Sequence, residues 1–467
     1  MGTPKENCRV FTPQRIVIRM LDILRYKENV FGRRILENSC GDGRFLVEIV
    51  KRYITDCRKK GYSDQKIKAG LARDICAYEK DKKTYKECIE KLNRLIKKYK
   101  ISDVKWSIFN KDALRDKQIG EFSFVIGNPP YITYSALSPK NREYIRKMFS
   151  VCKDGKPDYY YAFIESAIKS LNANGRMVYL LPSNFFKTRF AQKVRSYMLP
   201  ALTDVYDYKD KRVFESAMTA SAVVVCDKGN KTDKVVYHDV ASKKSQVVDK
   251  ETLKARWLFC PISSNEISKK QVKFGDCYSA SSSIATLCNA AFVLEENDQE
   301  LLKIEQEVIR KAVTPKSQAA KRVNRIIFPY YFSEEGSLQR YSEEEFSCRF
   351  PSAVAHLKKY KAALDARNSD KNATWFEYGR SQAISHMNQP KLLLSTVITG
   401  KVKVSLLDAE TIPYSGIYIT ADNDSELLDA KRILESRKFY NYAMMVGVRA
   451  NGKSFRISIN DINNYLI

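Results

Sequence analysis

Four consecutive residues, Asn128-Pro129-Pro130-Tyr131, carry the most specific chemistry in the chain. Two prolines in a row fix the backbone after Asn128 and remove two amide donors. Acceptors remain: the Pro129 carbonyl and the Asn128 side-chain oxygen, with the flat ring of Tyr131 beside them. Such a set suits a planar exocyclic amine, whose two N–H groups need two acceptors and whose ring needs a surface to stack on. Those hydrogen bonds draw the nitrogen lone pair out of conjugation and aim it at an electrophile. The plain alternative is a structural turn. The apolar run Phe122–Ile126 directly upstream is a buried-strand candidate, which places the tetrapeptide where α/β folds bind their ligands.

Two upstream groups share that setting. Arg33–Cys40 reads as a strand that runs into Gly41-Asp42-Gly43. Glycines at such a turn let the backbone approach a ligand closely, although G-x-G is only part of the dinucleotide fingerprint. Glu79 ends the next short apolar run, ICAYE. An acid at that strand tip accepts hydrogen bonds from ribose hydroxyls. Glu79 lies further from Gly43 than the usual spacing of about 20 residues. A basic helical insertion over 51–73 accounts for the excess.

The elements that must hold these groups follow from periodicity. Helices are expected after Gly43, over Lys80–Lys98, Asp158–Leu171 and 188–199. Further strands are expected over Val104–Phe109, Arg176–Leu181, 202–208 and 221–227. Strands alternating with helices imply βαβ units and a mostly parallel sheet. Near residue 230 the pattern changes. KGNKTDK reads as a polar connector, followed by short strands, Ser-rich turns at Ser279–Ser283 and separate helices. Two domains are therefore expected, 1–230 and 231–467.

Composition narrows the partners. Lys and Arg number 81 against 54 Asp and Glu, a formal charge of +27. Residues 1–230 carry +20 of that excess, and the segment 44–100 alone has 18 basic and 8 acidic side chains. Such a balance favours a polyanionic partner over a neutral one, though a solvated helical surface reads the same way. With 44% hydrophobic residues the chain has material for real cores. No apolar run approaches the roughly 18 residues of a membrane span, and the N-terminus lacks a signal-peptide core. The 11 cysteines form no C-x-x-C pair, which suits free thiols in a reducing cytosol. With three scattered His residues, His238, His356 and His386, no metal site is expected.

In order and chemistry, these residues resemble the class I S-adenosylmethionine-dependent DNA adenine-N6 methyltransferases, of the type with catalytic motifs first and target recognition domain last. The resemblance covers residues 9–228. It implies a Rossmann-like α/β domain with a mostly parallel seven-stranded sheet, plus a mixed α+β C-terminal domain. Phe11-Thr12-Pro13 resembles the element beside the methionine part of S-adenosyl-L-methionine. Glu37, Asn38, Cys40, Gly41 and Gly43 match the cofactor loop, and Glu79 the ribose acid. Asp112 matches the contact to the cofactor's adenine amine, with Phe109 near that ring, and Asp158 opens the helix lining the pocket. Asn128, Pro129, Pro130 and Tyr131 match the catalytic NPPY. Phe214 resembles the aromatic that stacks on the extruded base. Departures are the long spacer before Glu79 and Asn38 in place of a more usual proline.

The resemblance implies double-stranded DNA as partner and a cytoplasmic location in a prokaryote. It also allows either a cognate restriction endonuclease on a separate chain or none, as in an orphan methyltransferase. Motifs that begin at residue 11 lead to the expectation that no nuclease precedes them. In the C-terminal half, Arg322, Arg325, Arg380, Arg449 and Lys453 lie in three clusters able to hold phosphates or base edges. The bland reading of each cluster is solvated charge with core aromatics. Other readings compatible with NPPY are an RNA adenine methyltransferase, a protein N5-glutamine methyltransferase and a non-catalytic DNA-binding subunit.

Overall fold

The computed structural model describes residues 11–467 apart from 117–120, 210–212, 214–219, 254, 260–271, 382 and 451. By compactness the chain divides into two units, Met1–Cys260 and Pro261–Ile467.

Among the described residues of the first unit, nine strands form one sheet: β1 (Ile35–Glu37), β2 (Ile75–Tyr78), β3 (Ser107–Phe109), β4 (Phe122–Gly127), β5 (Leu171–Pro182), β6 (Leu202–Asp207), β7 (Ser221–Asp227), β8 (Lys234–Asp239) and β9 (Lys244–Asp249). Their order is β3-β2-β1-β4-β5-β7-β6-β8-β9. The strands from β3 to β5 pair in parallel, while β7 runs antiparallel to both neighbours. Central strands are buried on both faces, so they read as continuous apolar runs. Met177, Tyr179 and Leu181 of β5 enter one core, and Val178 and Leu180 the other.

Helices cover both faces. α1 (Gln14–Ile23), α2 (Arg44–Lys59), α3 (Asp64–Asp74) and α4 (Lys82–Lys98) bury their apolar sides with Phe124 and Ile126. α5 (Pro139–Met148), α6 (Tyr159–Ser170) and α7 (Gln192–Met198) pack on the opposite face. The basic insertion expected over 51–73 is the rest of α2 together with α3. Among the described residues, no helix is long and apolar enough to cross a membrane.

Two expectations need correction. The sheet has nine strands rather than seven, and the boundary expected at residue 230 falls inside the first unit. KGNKTDK is the turn between β7 and β8. β8 pairs in parallel with β6 and buries Val235 and Tyr237 against the core, while β9 forms an exposed edge. The second unit is mixed, as expected, and its described residues form small sheets of four, four, two and three strands among short helices. Ser279–Ser282 is a strand there, not a turn. It pairs antiparallel with buried Ile417–Thr420, so main-chain bonding outweighs the weak strand preference of serine.

Candidate active site

The strand order reverses between β1 and β4, and the loops leaving their carboxyl ends diverge there. Crevices at such switch points are where open α/β sheets hold ligands. The loops after β1, β2, β3 and β4 are stitched together at this point. The Cys40 amide donates to Tyr78 O at 2.9 Å, and the Glu79 amide to Phe109 O at 3.0 Å. Ser39 Oγ donates to Asn128 O at 3.4 Å, and Asn110 Nδ2 to Glu79 O at 2.8 Å.

The glycine turn takes the conformation its residues permit. Gly41 and Gly43 have φ of 54° and 82°, in the left-handed region. Any Cβ on Gly43 would sit 2.6 Å from Cys88 Sγ of α4, so this position is closed on both counts. Glu79 grips the turn from the next strand: Oε2 accepts from the Gly41 amide at 3.0 Å and Oε1 from the Asp81 amide at 2.7 Å. Each carboxylate oxygen retains a further lone pair. Phe11, 41% exposed, lies against Gly41. Asp112 caps the turn Ala113–Arg115 and faces Lys80 Nζ at 3.3 Å and Tyr159 OH at 3.5 Å.

Asn128 is half-buried at the end of β4. Its Nδ2 donates to Thr12 Oγ1 at 3.3 Å. Tyr131 is anchored edge and tip: its hydroxyl donates to Leu180 O at 2.8 Å, and its ring meets Tyr160 edge-on at 5.8 Å. Asp158 ties the following loop to α6 by accepting from the Tyr134 amide at 3.1 Å, while the Tyr159 amide donates to Ile132 O at 2.9 Å. Burial raises Asp158 above the ordinary carboxylate range, and the Tyr134 hydrogen bond partly opposes that.

Two buried polar groups at the carboxyl end of β1 are not saturated. Glu37 is 2% exposed, and its Oε2 has no hydrogen-bond partner among the described residues; the same holds for Asn38 Nδ2. Burial lifts the Glu37 carboxyl well above its ordinary value, with Cys88, Asp42 and Glu79 adding to the effect. Buried unpaired polar atoms are rare and point to a missing ligand or water. With the glycine approach and the Glu79 carboxylate beside them, these groups fit a polar cofactor bearing vicinal hydroxyls.

The structure thus sets Phe11, Thr12 and Pro13 beside the ends of β1 and β4 and the loops that follow them, which carry Glu37, Asn38, Cys40, Gly41 and Gly43 and Asn128, Pro129, Pro130 and Tyr131. Glu79 is bound to the Gly41 amide, Asp112 follows β3 and Asp158 stands at the start of α6. Phe214 lies outside the described residues; its neighbour Val213 is buried. Sequence reasoning missed Tyr179, whose hydroxyl donates to Asn38 Oδ1 at 2.6 Å and so accommodates the asparagine found where a proline is more usual. Nothing in the apolar run MVYLLP marks that hydroxyl.

The C-terminal candidates lie in the second unit. Arg322, Arg449 and Lys453 are exposed. Arg380 is also exposed but pairs with Asp370 at 2.5 Å, and Arg325 pairs with Glu296 at 3.0 Å. Around Arg380, Phe376, Glu377 and Tyr378 are core residues, with Glu377 bound to Arg340.

Comparison with known proteins agrees with this geometry. Residues 43–214 match the family described as Eco57I restriction-modification methylase. The chain is 26% identical over 257 residues to the Type II methyltransferase M.BstVI of Geobacillus stearothermophilus, covering 50% of this chain and 45% of that protein. To the Type II restriction enzyme and methyltransferase RM.Eco57I of Escherichia coli it is 25% identical over 353 residues, covering 63% and 34%. The chain therefore spans less than half the length of these relatives. In fold, it resembles the Type IIL restriction-modification enzyme MmeI, solved in complex with DNA. That match has a TM-score of 0.63 and 14% identity, over 97% of this chain and 64% of that one. Residues 43–214, which match the Eco57I restriction-modification methylase family, lie in a doubly wound α/β sheet.

Proposed function

We propose that this chain transfers a methyl group from S-adenosyl-L-methionine to the N6 amine of an adenine rotated out of duplex DNA. The observation that carries this reading is the Asn128 amide at the end of β4. Its NH2 donates to Thr12 Oγ1, which orients the amide with Oδ1 as its acceptor end. An acceptor there, with the Pro129 carbonyl, suits an amine that must act as nucleophile. Bound S-adenosyl-L-methionine supplies a methyl group activated by its sulfonium.

The chain's own residues would then bind and align. Glu79 accepts from ribose hydroxyls, while Glu37, Asn38 and the backbone of Gly41 line the polar end. Asp112 accepts from the cofactor's adenine amine. Asn128 Oδ1 and Pro129 O receive the two hydrogens of the target amine, and Tyr131 stacks on its ring. Alignment of this kind supplies much of the acceleration in a transfer that needs no protein nucleophile. Rotating a base out of the duplex costs a few kcal/mol. Stacking offsets part of that, at about 1–3 kcal/mol per base. The relatives named as Type II methyltransferases, and the basic charge of the chain, support DNA as the substrate. Arg322, Arg380, Arg449 and Lys453 are the proposed contacts to it, and a cognate endonuclease on another chain is the proposed functional partner.

The test is incubation with methyl-labelled cofactor and, separately, duplex DNA, RNA or a protein extract, with digestion of the labelled product. Label in DNA as N6-methyladenine is expected. Label confined to RNA, to protein glutamine or to cytosine would overturn the assignment.

A further inference from the structure

We propose that Arg44 is a positioning residue that clamps Phe11-Thr12-Pro13 over the glycine turn and so couples the cofactor loop to Asn128. The inference rests on the methyl-transfer reading. Arg44 is the first residue of α2, whose first turn holds no acid. A cation there opposes the helix dipole, so its placement needs compensation. Asp42 provides it: Oδ2 holds Arg44 Nε at 3.4 Å and Lys91 Nζ of α4 at 2.6 Å. With Nε fixed, the rest of the guanidinium faces the N-terminal segment. Arg44 Nη1 donates to Thr12 O at 3.4 Å, and the guanidinium carbon lies 4.9 Å from the centre of the Phe11 ring.

These contacts account for the position of that ring among the described residues. Phe11 is 41% exposed, and its edge lies 3.8 Å from the place a Cβ on Gly41 would occupy. An exposed aromatic over a glycine turn gains little from burial; a cation across its face gives it a fixed position. Thr12, held by its carbonyl from Arg44, receives Asn128 Nδ2 on its hydroxyl. A continuous chain of contacts thus runs from Lys91 through Asp42, Arg44 and Thr12 to Asn128. Loss of Arg44 frees the segment to lift from the turn and removes the support for the Asn128 orientation.

The test uses S-adenosylhomocysteine binding by calorimetry and amide hydrogen exchange, both on the full chain. Arg44→Ala is expected to weaken binding roughly tenfold, with Arg44→Lys recovering part of it. Exchange at the amides of Ile16 and Val17, which donate to Pro13 O at 2.9 and 3.1 Å, is expected to quicken while the amides of β4 and β5 stay protected. Phe11→Leu should weaken binding too, and the double variant should lose less than the sum, because each change removes the same contact. Unchanged binding in Arg44→Ala, additive losses, or unaltered exchange at residues 16 and 17 would overturn the clamp alone. Wild-type protein that fails to bind S-adenosylhomocysteine would overturn both the clamp and the methyl-transfer reading.

Discussion

At the scale of single residues, the site divides into groups with a sequence signature and groups without one. Asn128, Pro129, Pro130 and Tyr131 were legible because two prolines and an amide in one short run have few structural uses. Glu79 was legible because an acid ends an apolar run. Tyr179 and Arg44 were not, since their partners, Asn38 and Phe11, lie 141 and 33 positions away and only folding joins them. Glu37 could be placed by its motif, but its protonation could not, because that follows from burial. Burial lifts its carboxyl well above the ordinary 4.5. The folded chain then keeps a proton that the unfolded chain releases. This contribution to stability is complete below about pH 4.5 and is lost as pH rises toward the folded-state value. Glu37→Gln has the same shape and cannot ionise. Its stability relative to wild type should therefore grow as pH rises above about 4.5, measured by urea unfolding at each pH. Parallel profiles for the two proteins would show that Glu37 is not held neutral.

Among the elements, the parallel strands and the helices between them were readable because burial on both faces leaves unbroken apolar runs. The hairpin of β8 and β9 was not assigned to the sheet, since a half-exposed pair at an edge alternates weakly and follows a polar turn. Ser279–Ser282 was misread for a related reason: its pairing is made by main chain, and serine side chains carry no trace of it. The junction of β1 and α2 is the element on which the site depends most. Gly43→Ala places a Cβ against Cys88 Sγ in a left-handed conformation. The conformational penalty is about 1–2 kcal/mol and overpacking adds about 1–3 kcal/mol. A lower thermal midpoint is expected for Gly43→Ala. Adding Cys88→Ala should restore the steric share and leave the conformational share. If the double variant melts no higher than Gly43→Ala, close packing of α4 on the turn is not what closes this position.

For the whole molecule, the net charge of +27 fits the polyanionic duplex of the proposed function. The proposed contacts differ in their surroundings. Arg380 already has Asp370 as a partner, whereas Lys453 is exposed on the turn after the strand Val448–Arg449. Lys453→Ala should therefore reduce the dependence of log affinity on log salt by about one phosphate contact, and Arg380→Ala by less. Equal slopes for both variants and wild type, from fluorescence titrations across salt, would remove the second unit's basic residues from the interface. The central claim concerns Asn128, and one comparison addresses it directly: methyl transfer to duplex DNA and S-adenosylhomocysteine affinity, each measured for wild type, Asn128→Ala and Tyr131→Ala. Transfer should vanish in Asn128→Ala and fall less in Tyr131→Ala, with cofactor affinity near wild type in the former. Wild-type turnover by Asn128→Ala would contradict the assignment of that amide to the reacting amine.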